Sequence, residues 1–120
     1  MPLPDEVRIR HIRDAAGDAV KFVEGKSRAD LDSNEMLSLA LVRLLEVIGE
    51  AANGISPELR AKHPTIHWAG MTSMRNRLIH GYFDINLDIV WETVTKDLPP
   101  LVAEMESVLR DLPEGIINEE

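Results

Sequence analysis

Residues 34–52 read NEMLSLALVRLLEVIGEAA, a stretch whose apolar side chains would cover most of a helical circumference. Within it Arg43, Glu46 and Glu50 interrupt the apolar pattern at spacings of three and seven, which places them in one line along the helix. A helix that is apolar nearly all round is buried on two sides. We therefore predict a helical bundle in which this helix is either central or covered on one side by a second subunit.

The residues before this helix predict one long helix and a loop. Acidic side chains at Asp5 and Glu6 suit the positive end of a helix, and apolar residues then recur at spacings of three and four until Gly25. A first helix is thus predicted from about Asp5 to Glu24. Residues 26–33 are polar and without periodicity, so we predict a loop there.

The residues after it predict a short helix followed by a longer one. Ser56 and Pro57 form a typical helix start, with a capping hydroxyl and a proline at the first helical position. His63-Pro64 stops that short helix, because the residue before a proline is disfavoured in helical conformation. The next helix is predicted over residues 66–80.

The last helix is predicted to begin after Asn86, a good capping residue that follows a turn. Its apolar residues keep spacings of three and four across Pro99-Pro100, which indicates one helix kinked at the prolines rather than two. The predicted fold class is all-α, a bundle of four main helices plus one short helix. Residues 1–120 form a single domain, with 113–120 an acidic tail.

Composition restricts the function classes. The chain has 120 residues with 44% apolar content, enough for a buried core, and no cysteine, which excludes disulfides and thiolate chemistry. No segment approaches the ~20 apolar residues of a membrane span, and no basic leader precedes an apolar run. A cytoplasmic protein without membrane association is the expectation. No ligand spacing predicts a metal site, and no cofactor motif is present.

Positive charge is concentrated in one part of the chain. The formal net charge is −8, which disfavours an extended nucleic-acid-binding surface. Residues 57–80, however, carry 4 Lys/Arg against 1 Asp/Glu, whereas 1–56 carry 7 against 10 and 81–120 carry 2 against 10. Three of the four histidines also lie in this net-positive part, namely His63, His67 and His80. A local anion site is therefore plausible there.

The chemistry is expected in residues 75–82, RNRLIHGY. On a regular helix Arg75 falls beside the apolar face made by Met71, Met74 and Leu78. An arginine there keeps its charge and needs a carboxylate, a phosphate or a water-filled cleft. His80 is expected at the helix end, where the negative end of the dipole favours its protonated form.

An arginine and a histidine without a nucleophilic Ser or Cys, and without clustered carboxylates, suit phosphodiester chemistry. The imidazole of His80 would move a proton from a ribose hydroxyl, and the guanidinium of Arg75 would hold the phosphate. The line of Arg43, Glu46 and Glu50 is open to two interpretations. It is a solvated stripe, or Glu46 or Glu50 faces the next helix and orients Arg75.

This stretch resembles the Arg-x4-His-x-Tyr signature of the HEPN superfamily, in particular its HepT-like toxin branch. Arg75, His80 and Tyr82 match the signature, and Asn76 occupies the polar position after the arginine. The runs 47–52 (VIGEAA), 56–63 (SPELRAKH) and 90–101 (VWETVTKDLPPL) are similar to the same branch in the same order. The resemblance covers most of the chain.

The resemblance implies a metal-independent endoribonuclease toxin with Arg75 and His80 as the catalytic pair. Asn76, Arg77 and Tyr82 would bind or orient the RNA substrate. It also implies a homodimer with a composite cleft and a minimal nucleotidyltransferase as antitoxin, which would add AMP to Tyr82. The apolar helix 34–52 favours a homodimer independently. Two alternatives stay open: a non-catalytic substrate-binding or regulatory partner of a nucleotidyltransferase, and a purely structural helical dimer.

Overall fold

The computed structural model describes residues 3–80 and 84–113, with His80 described by its backbone alone. The elements follow one another as α1 (Asp5–Phe22), α2 (Asp30–Ser33), α3 (Glu35–Asn53), α4 (Pro57–Lys62), α5 (Trp68–Thr72), α6 (Met74–Leu78), β1 (Ile79–His80), β2 (Asp84–Ile85), α7 (Leu87–Glu92), a π-helical turn (Thr93–Asp97) and α8 (Leu98–Asp111). The predicted all-α class is confirmed.

Helix α3 occupies the centre of the bundle, one of the two arrangements that its sequence predicted. It packs against α1 on one side and against α5 and α6 on another, while α1 also packs against α8. Five of its apolar side chains are buried in these contacts: Leu37, Leu41, Val42, Leu45 and Ile48. The core therefore lies between α1, α3 and α8, and the segment α5–α6 packs against another side of α3.

The outer face of α3 keeps apolar residues in contact with solvent. Met36 is 82% exposed and Leu39 is 54% exposed, although both belong to the central helix. The apolar side chains of residues 34–52 are thus only partly buried by contacts within this chain. Among the residues described, no helix combines the length and the apolar content needed to cross a membrane.

A hydrogen-bonded junction joins the short helix α4 to the start of α1. The Ser56 hydroxyl accepts from the Leu59 amide at 3.1 Å and caps α4, as predicted. The Asp5 carboxylate in turn accepts from the Ser56 amide at 3.0 Å and from its hydroxyl at 2.6 Å. One serine thus caps one helix and binds another, which fixes the direction of the chain that leads into α5.

The loop predicted over residues 26–33 is wrong in part, because α2 forms one helical turn there. Its Asp30 carboxylate accepts from the Ser27 amide at 2.6 Å, and Asn34 then caps α3 by accepting from the Leu37 amide at 3.1 Å. Arg28 donates to Asp88 of α7 at 2.7 Å, a hydrogen bond that raises the pKa of Arg28. A turn too short to show periodicity is stabilised by the side-chain hydrogen bond of Asp30 and by the contact of Arg28 with this distant carboxylate.

The predicted single helix over residues 66–80 is also wrong. The chain forms two five-residue helices, α5 and α6, separated at Ser73, whose φ of −90° and ψ of 0° lie outside the helical region. The helix ends at Leu78, and Ile79 is extended. Ile79 then pairs with Ile85, and His80 pairs with Asp84, in a two-stranded antiparallel ladder. The turn predicted before the last helix is therefore replaced in part by β2, although Asn86 does cap α7, accepting from the Ile89 amide at 3.1 Å.

The last helix continues through its prolines, as predicted. The kink expected at Pro99-Pro100 corresponds to the π-helical turn that precedes them, and the prolines lie in the first turn of α8. A proline lacks the amide donor and its ring clashes with the preceding turn, so a wider turn immediately before it relieves the conflict. In that turn the Thr95 hydroxyl donates to the Trp91 carbonyl at 2.8 Å.

Candidate active site

The segment α5–α6 is anchored to the core by four buried side chains. Trp68, Met71, Met74 and Leu78 are each no more than 6% exposed. The indole of Trp68 also donates to the His63 carbonyl at 3.0 Å, which ties the start of α5 to the segment before it. The apolar face predicted for Met71, Met74 and Leu78 is confirmed, so the polar side chains of α6 are directed away from the core.

The approach of α5 to α3 is close because α3 has a glycine at the contact. A Cβ atom on Gly49 would lie 3.0 Å from the carbonyl oxygen of Met71, nearer than most such contacts in proteins. A larger side chain would therefore push α5 outward. The position of α6, and with it the position of Arg75, depends on this glycine.

Arg75 forms an ion pair with Glu46 of α3. Its Nε atom lies 3.3 Å from Glu46 Oε2, and the two side chains are 58% and 22% exposed respectively. Of the two interpretations of the polar line on α3, the contact with the motif helix is confirmed for Glu46, whereas Glu50 is exposed. The expected core-side position of Arg75 is wrong for its charged end: the residue follows the buried Met74 on α6, but its long side chain carries the guanidinium to the surface.

A second guanidinium faces the same carboxylate. Arg43 Nη1 lies 3.7 Å from Glu46 Oε1, three residues earlier on α3. Two arginines and one glutamate leave this cluster with one net positive charge inside an acidic protein. From the sequence Arg43 was named only as part of the polar line on α3 and not as a site residue, although its spacing of three from Glu46 indicates the ion pair.

The end of α6 changes the expected position of His80. The last helical residue is Leu78, so His80 lies two residues beyond it in β1, paired with Asp84. The argument that a helix dipole would favour its protonated form does not apply to an extended strand. Asn76 of α6 does not share a helix face with His80 either, because His80 is not helical. The imidazole itself is outside the described part of the chain.

The other predicted site residues are divided between two sides of α6. Asn76 and Arg77 are exposed. Arg77 lines an open cavity of about 460 Å³ between α5–α6 and the start of α8. Tyr82 lies outside the described residues. In the part of the chain that the structure describes, no three His, Asp or Glu side chains cluster in a way that would hold a metal ion.

Comparison with known proteins decides the family. The sequence profile described as "Ribonuclease HepT-like" matches residues 12–108, most of the chain. The chain belongs to the HepT-like ribonuclease family. The match begins within α1 and ends within α8, so it includes both the bundle and the segment that carries Arg75 and His80.

Named relatives of this HepT-like chain come from bacteria and archaea. It is 36% identical over 102 residues to a "Putative RNase" of Caldanaerobacter subterraneus, covering 85% of this chain and 91% of the relative. It is 36% identical over 97 residues to a "Putative RNase" of Methanocaldococcus jannaschii, covering 81% and 89%. It is 34% identical over 95 residues to a "Probable ribonuclease HepT" of Thermococcus cleftensis, covering 76% and 86%. No solved structure matches the chain significantly.

Proposed function

We propose that this protein is an endoribonuclease, the toxin of a toxin–antitoxin pair, and that it cleaves RNA through Arg75 and His80 without a metal ion. The observation that carries the proposal is the exposed guanidinium of Arg75, which lies in the net-positive part of the sequence and pairs with Glu46 of α3. An exposed ion pair contributes only ~0–1 kcal/mol. The Arg75 guanidinium can therefore exchange the Glu46 carboxylate for a phosphate at little cost.

The proposed reaction is an internal transesterification of RNA. The imidazole of His80 removes the proton of a ribose 2′-hydroxyl, and the 2′-oxygen attacks the adjacent phosphorus. Arg75 donates two hydrogen bonds to the non-bridging oxygens, where negative charge grows in the transition state. The bond from phosphorus to the 5′-oxygen breaks, and that oxygen takes up a proton. The products are a 2′,3′-cyclic phosphate and a 5′-hydroxyl end.

The purified protein is expected to cleave single-stranded RNA in the presence of EDTA and to leave 2′,3′-cyclic phosphate ends. Mass spectrometry of the fragments identifies the ends directly. The matched control is the same oligonucleotide with 2′-O-methyl groups, which lacks the attacking hydroxyl and should stay intact. Strict dependence on Mg²⁺, or 3′-hydroxyl products, would reject the mechanism. RNA binding without any cleavage would favour the non-catalytic partner of a nucleotidyltransferase.

The proposal includes a homodimer, for which the outer face of α3 is the supporting feature. The apolar side chains of Met36 and Leu39 are exposed there, on the helix that also carries Arg43 and Glu46. A two-fold contact through this face would place the Arg75–Glu46 pairs of two subunits near each other.

Leu39→Glu is expected to convert a dimer at micromolar concentration to a monomer in sedimentation velocity experiments. Two-fold symmetry brings one introduced carboxylate from each subunit to the same contact. The cost of removing these charges from water and their mutual repulsion both oppose association. Phe22→Glu is the matched control, since Phe22 is exposed to a similar degree at the end of α1 and should leave the dimer intact. A wild-type protein that is monomeric at these concentrations contradicts the dimer.

The proposed control of the toxin is AMP transfer to Tyr82 by a minimal nucleotidyltransferase. The phenol oxygen of Tyr82 attacks the α-phosphorus of ATP, pyrophosphate leaves and the phenolic proton is released. The attached nucleotide brings a phosphate and a base two residues from His80, where it would compete with RNA for Arg75. The support is the match of Tyr82 to the motif and the membership of the HepT-like family.

Co-expression with a nucleotidyltransferase from a neighbouring gene is expected to add the mass of one AMP group and to abolish RNA cleavage. Peptide mass spectrometry should locate the adduct at Tyr82. Tyr82→Phe should carry no adduct and should stay active in the same cells. If Tyr82→Phe is neutralised as fully as the parent, and the parent carries no adduct, occlusion by the bound partner replaces this mechanism.

A further inference from the structure

The cavity of about 460 Å³ on the far side of α6 from Arg75 is within the size range of small-molecule sites. It lies between α5–α6 and the junction of the π-helical turn with α8. Apolar side chains of the core line part of it, namely Met71, Met74, Leu98 and Leu101. Polar side chains also line it: Arg77, Lys96, Asp97 and Glu104. An apolar lining with a few polar groups is typical of a site for a flat, partly polar ligand.

We propose that this cavity binds one unstacked nucleobase of the RNA substrate, a few nucleotides from the scissile phosphate. This inference rests on the ribonuclease function proposed above. It assigns the selection of a base to the cavity, which lies apart from the proposed catalytic pair Arg75 and His80. Single-stranded RNA is recognised in this way elsewhere, by bases turned out of the stack and held against apolar groups or arginine planes.

The position of the cavity relative to Arg75 supports this assignment. Arg77 follows Arg75 by two residues on α6, which places the two side chains roughly 200° apart around the helix. A helix with its side chains is about 10–12 Å across. A strand of RNA whose phosphate contacts Arg75 therefore needs only a few nucleotides to pass around α6 and reach the cavity.

The charges at the cavity suit a nucleotide better than a purely apolar ligand. Among the described side chains, Arg77 forms no ion pair, whereas Lys96 has its Nζ atom 3.4 Å from Glu92 Oε2. The guanidinium of Arg77 is thus available to stack on a base or to bind the adjoining phosphate. The carboxylates of Asp97 and Glu104 can accept hydrogen bonds from the exocyclic amino group of a base. This chemistry favours adenine, cytosine or guanine over uracil.

The π-helical turn helps to form this cavity. Lys96 and Asp97 belong to the turn, and Leu98 follows it directly. A wider turn shifts the side chains on it relative to a regular helix, and such turns are frequent at functional sites. The prolines that make the wide turn favourable therefore also determine which side chains line the cavity.

Gly70 allows the cavity to be filled without a backbone clash. It lines the cavity from α5, and an added Cβ would meet only the Cβ of His67, at an ordinary contact distance of 3.6 Å. Gly70→Leu should therefore fold and place its side chain in the cavity. Gly17→Leu is the matched control, because a Cβ on Gly17 of α1 has no neighbour within 4 Å.

The test measures binding rather than cleavage, with 2′-O-methyl oligonucleotides that the enzyme cannot cut. A series with one abasic residue at each successive position is titrated against the wild-type protein by fluorescence anisotropy. One abasic position is expected to weaken binding by about tenfold, the usual effect of losing a well-held base. Uracil at that position should bind more weakly than adenine, cytosine or guanine. In Gly70→Leu and in Arg77→Ala the difference between intact and abasic RNA should shrink to less than about twofold, and in Gly17→Leu it should persist.

The outcomes separate this subsite from the nuclease function. A wild-type protein that cleaves RNA but binds it without dependence on any one base overturns the subsite and leaves the nuclease intact. A base-dependent difference that is lost in Gly70→Leu, in a protein that cleaves nothing, supports the subsite and overturns the nuclease. A difference that survives in both Gly70→Leu and Arg77→Ala places the base elsewhere and overturns the assignment of this cavity.

Discussion

Arg75→Ala is expected to lower kcat for RNA cleavage by about 10²- to 10³-fold, the usual effect of removing a donor that stabilises transition-state charge. His80→Ala should lower it by about 10²- to 10⁴-fold, because the proton transfer from the 2′-hydroxyl loses its base. Single-turnover assays with a labelled oligonucleotide in EDTA measure both effects. Glu46, the partner of Arg75, is itself partly exposed, so the loss of Arg75 leaves no fully buried carboxylate without a partner. The helical circular dichroism should therefore be unchanged.

Arg13→Ala is the control for the loss of one positive charge. Arg13 pairs with its neighbour Asp14 on α1, and α1 makes its principal helix contacts with α3 and α8 rather than with α6. The RNA cleavage rate of Arg13→Ala should stay within about twofold of the wild-type rate, in line with the small contribution of an exposed ion pair. Arg75→Lys should recover only part of the rate, because a lysine cannot hold a phosphate through two parallel hydrogen bonds. Full activity in Arg75→Ala or in His80→Ala would remove that residue from the proposed mechanism.

Leu78→Ala is expected to lower the free energy of unfolding by about 2–5 kcal/mol, the range for a leucine truncated in a packed core. Leu78 is fully buried at the end of α6, directly before β1. Its loss removes the anchor closest to His80, so the RNA cleavage rate should fall as well, even at temperatures where the protein stays folded. Urea denaturation followed by circular dichroism measures the change in stability.

Leu3→Ala makes the same chemical change at an exposed position. Leu3 is 47% exposed before the start of α1, so its truncation should change the free energy of unfolding by no more than about 0.5 kcal/mol. Equal effects of the two substitutions would show that α6 is not held to the core by Leu78. The position of the segment that carries Arg75 would then need another explanation.

The residues of the candidate site were predictable from the sequence, whereas their contacts and their exposure were not. Arg75 and His80 were recognisable from their residue types, their spacing and the net-positive part of the chain around them. The pairing of Arg75 with Glu46 was one of two open interpretations, because residues 29 apart in sequence meet only when α3 and α6 pack. The exposure of Arg75 was mispredicted, because a helical wheel gives the direction in which a side chain starts and not where the end of a long, flexible side chain lies.

The sequence by itself determined the long elements of this protein. Apolar residues at helical spacing predicted α1, α3 and the last helix, and local capping chemistry at Ser56 and Asn86 predicted where the short helix α4 and the last helix begin. Both signals depend on residues within a few positions of one another. The family resemblance came from the sequence as well, since the motif and three further runs lie in one order along the chain.

Only the tertiary structure decided the division of residues 66–80 into α5, α6 and β1. The apolar spacing across Ser73 is that of a helix, but the close approach of α5 to Gly49 and the pairing of Ile79 with Ile85 are contacts between distant residues. Such contacts outweigh a local helical preference, which amounts to only a few tenths of a kcal/mol per residue. His80 therefore lies on a strand instead of at a helix end, and this position cannot be derived from helical periodicity.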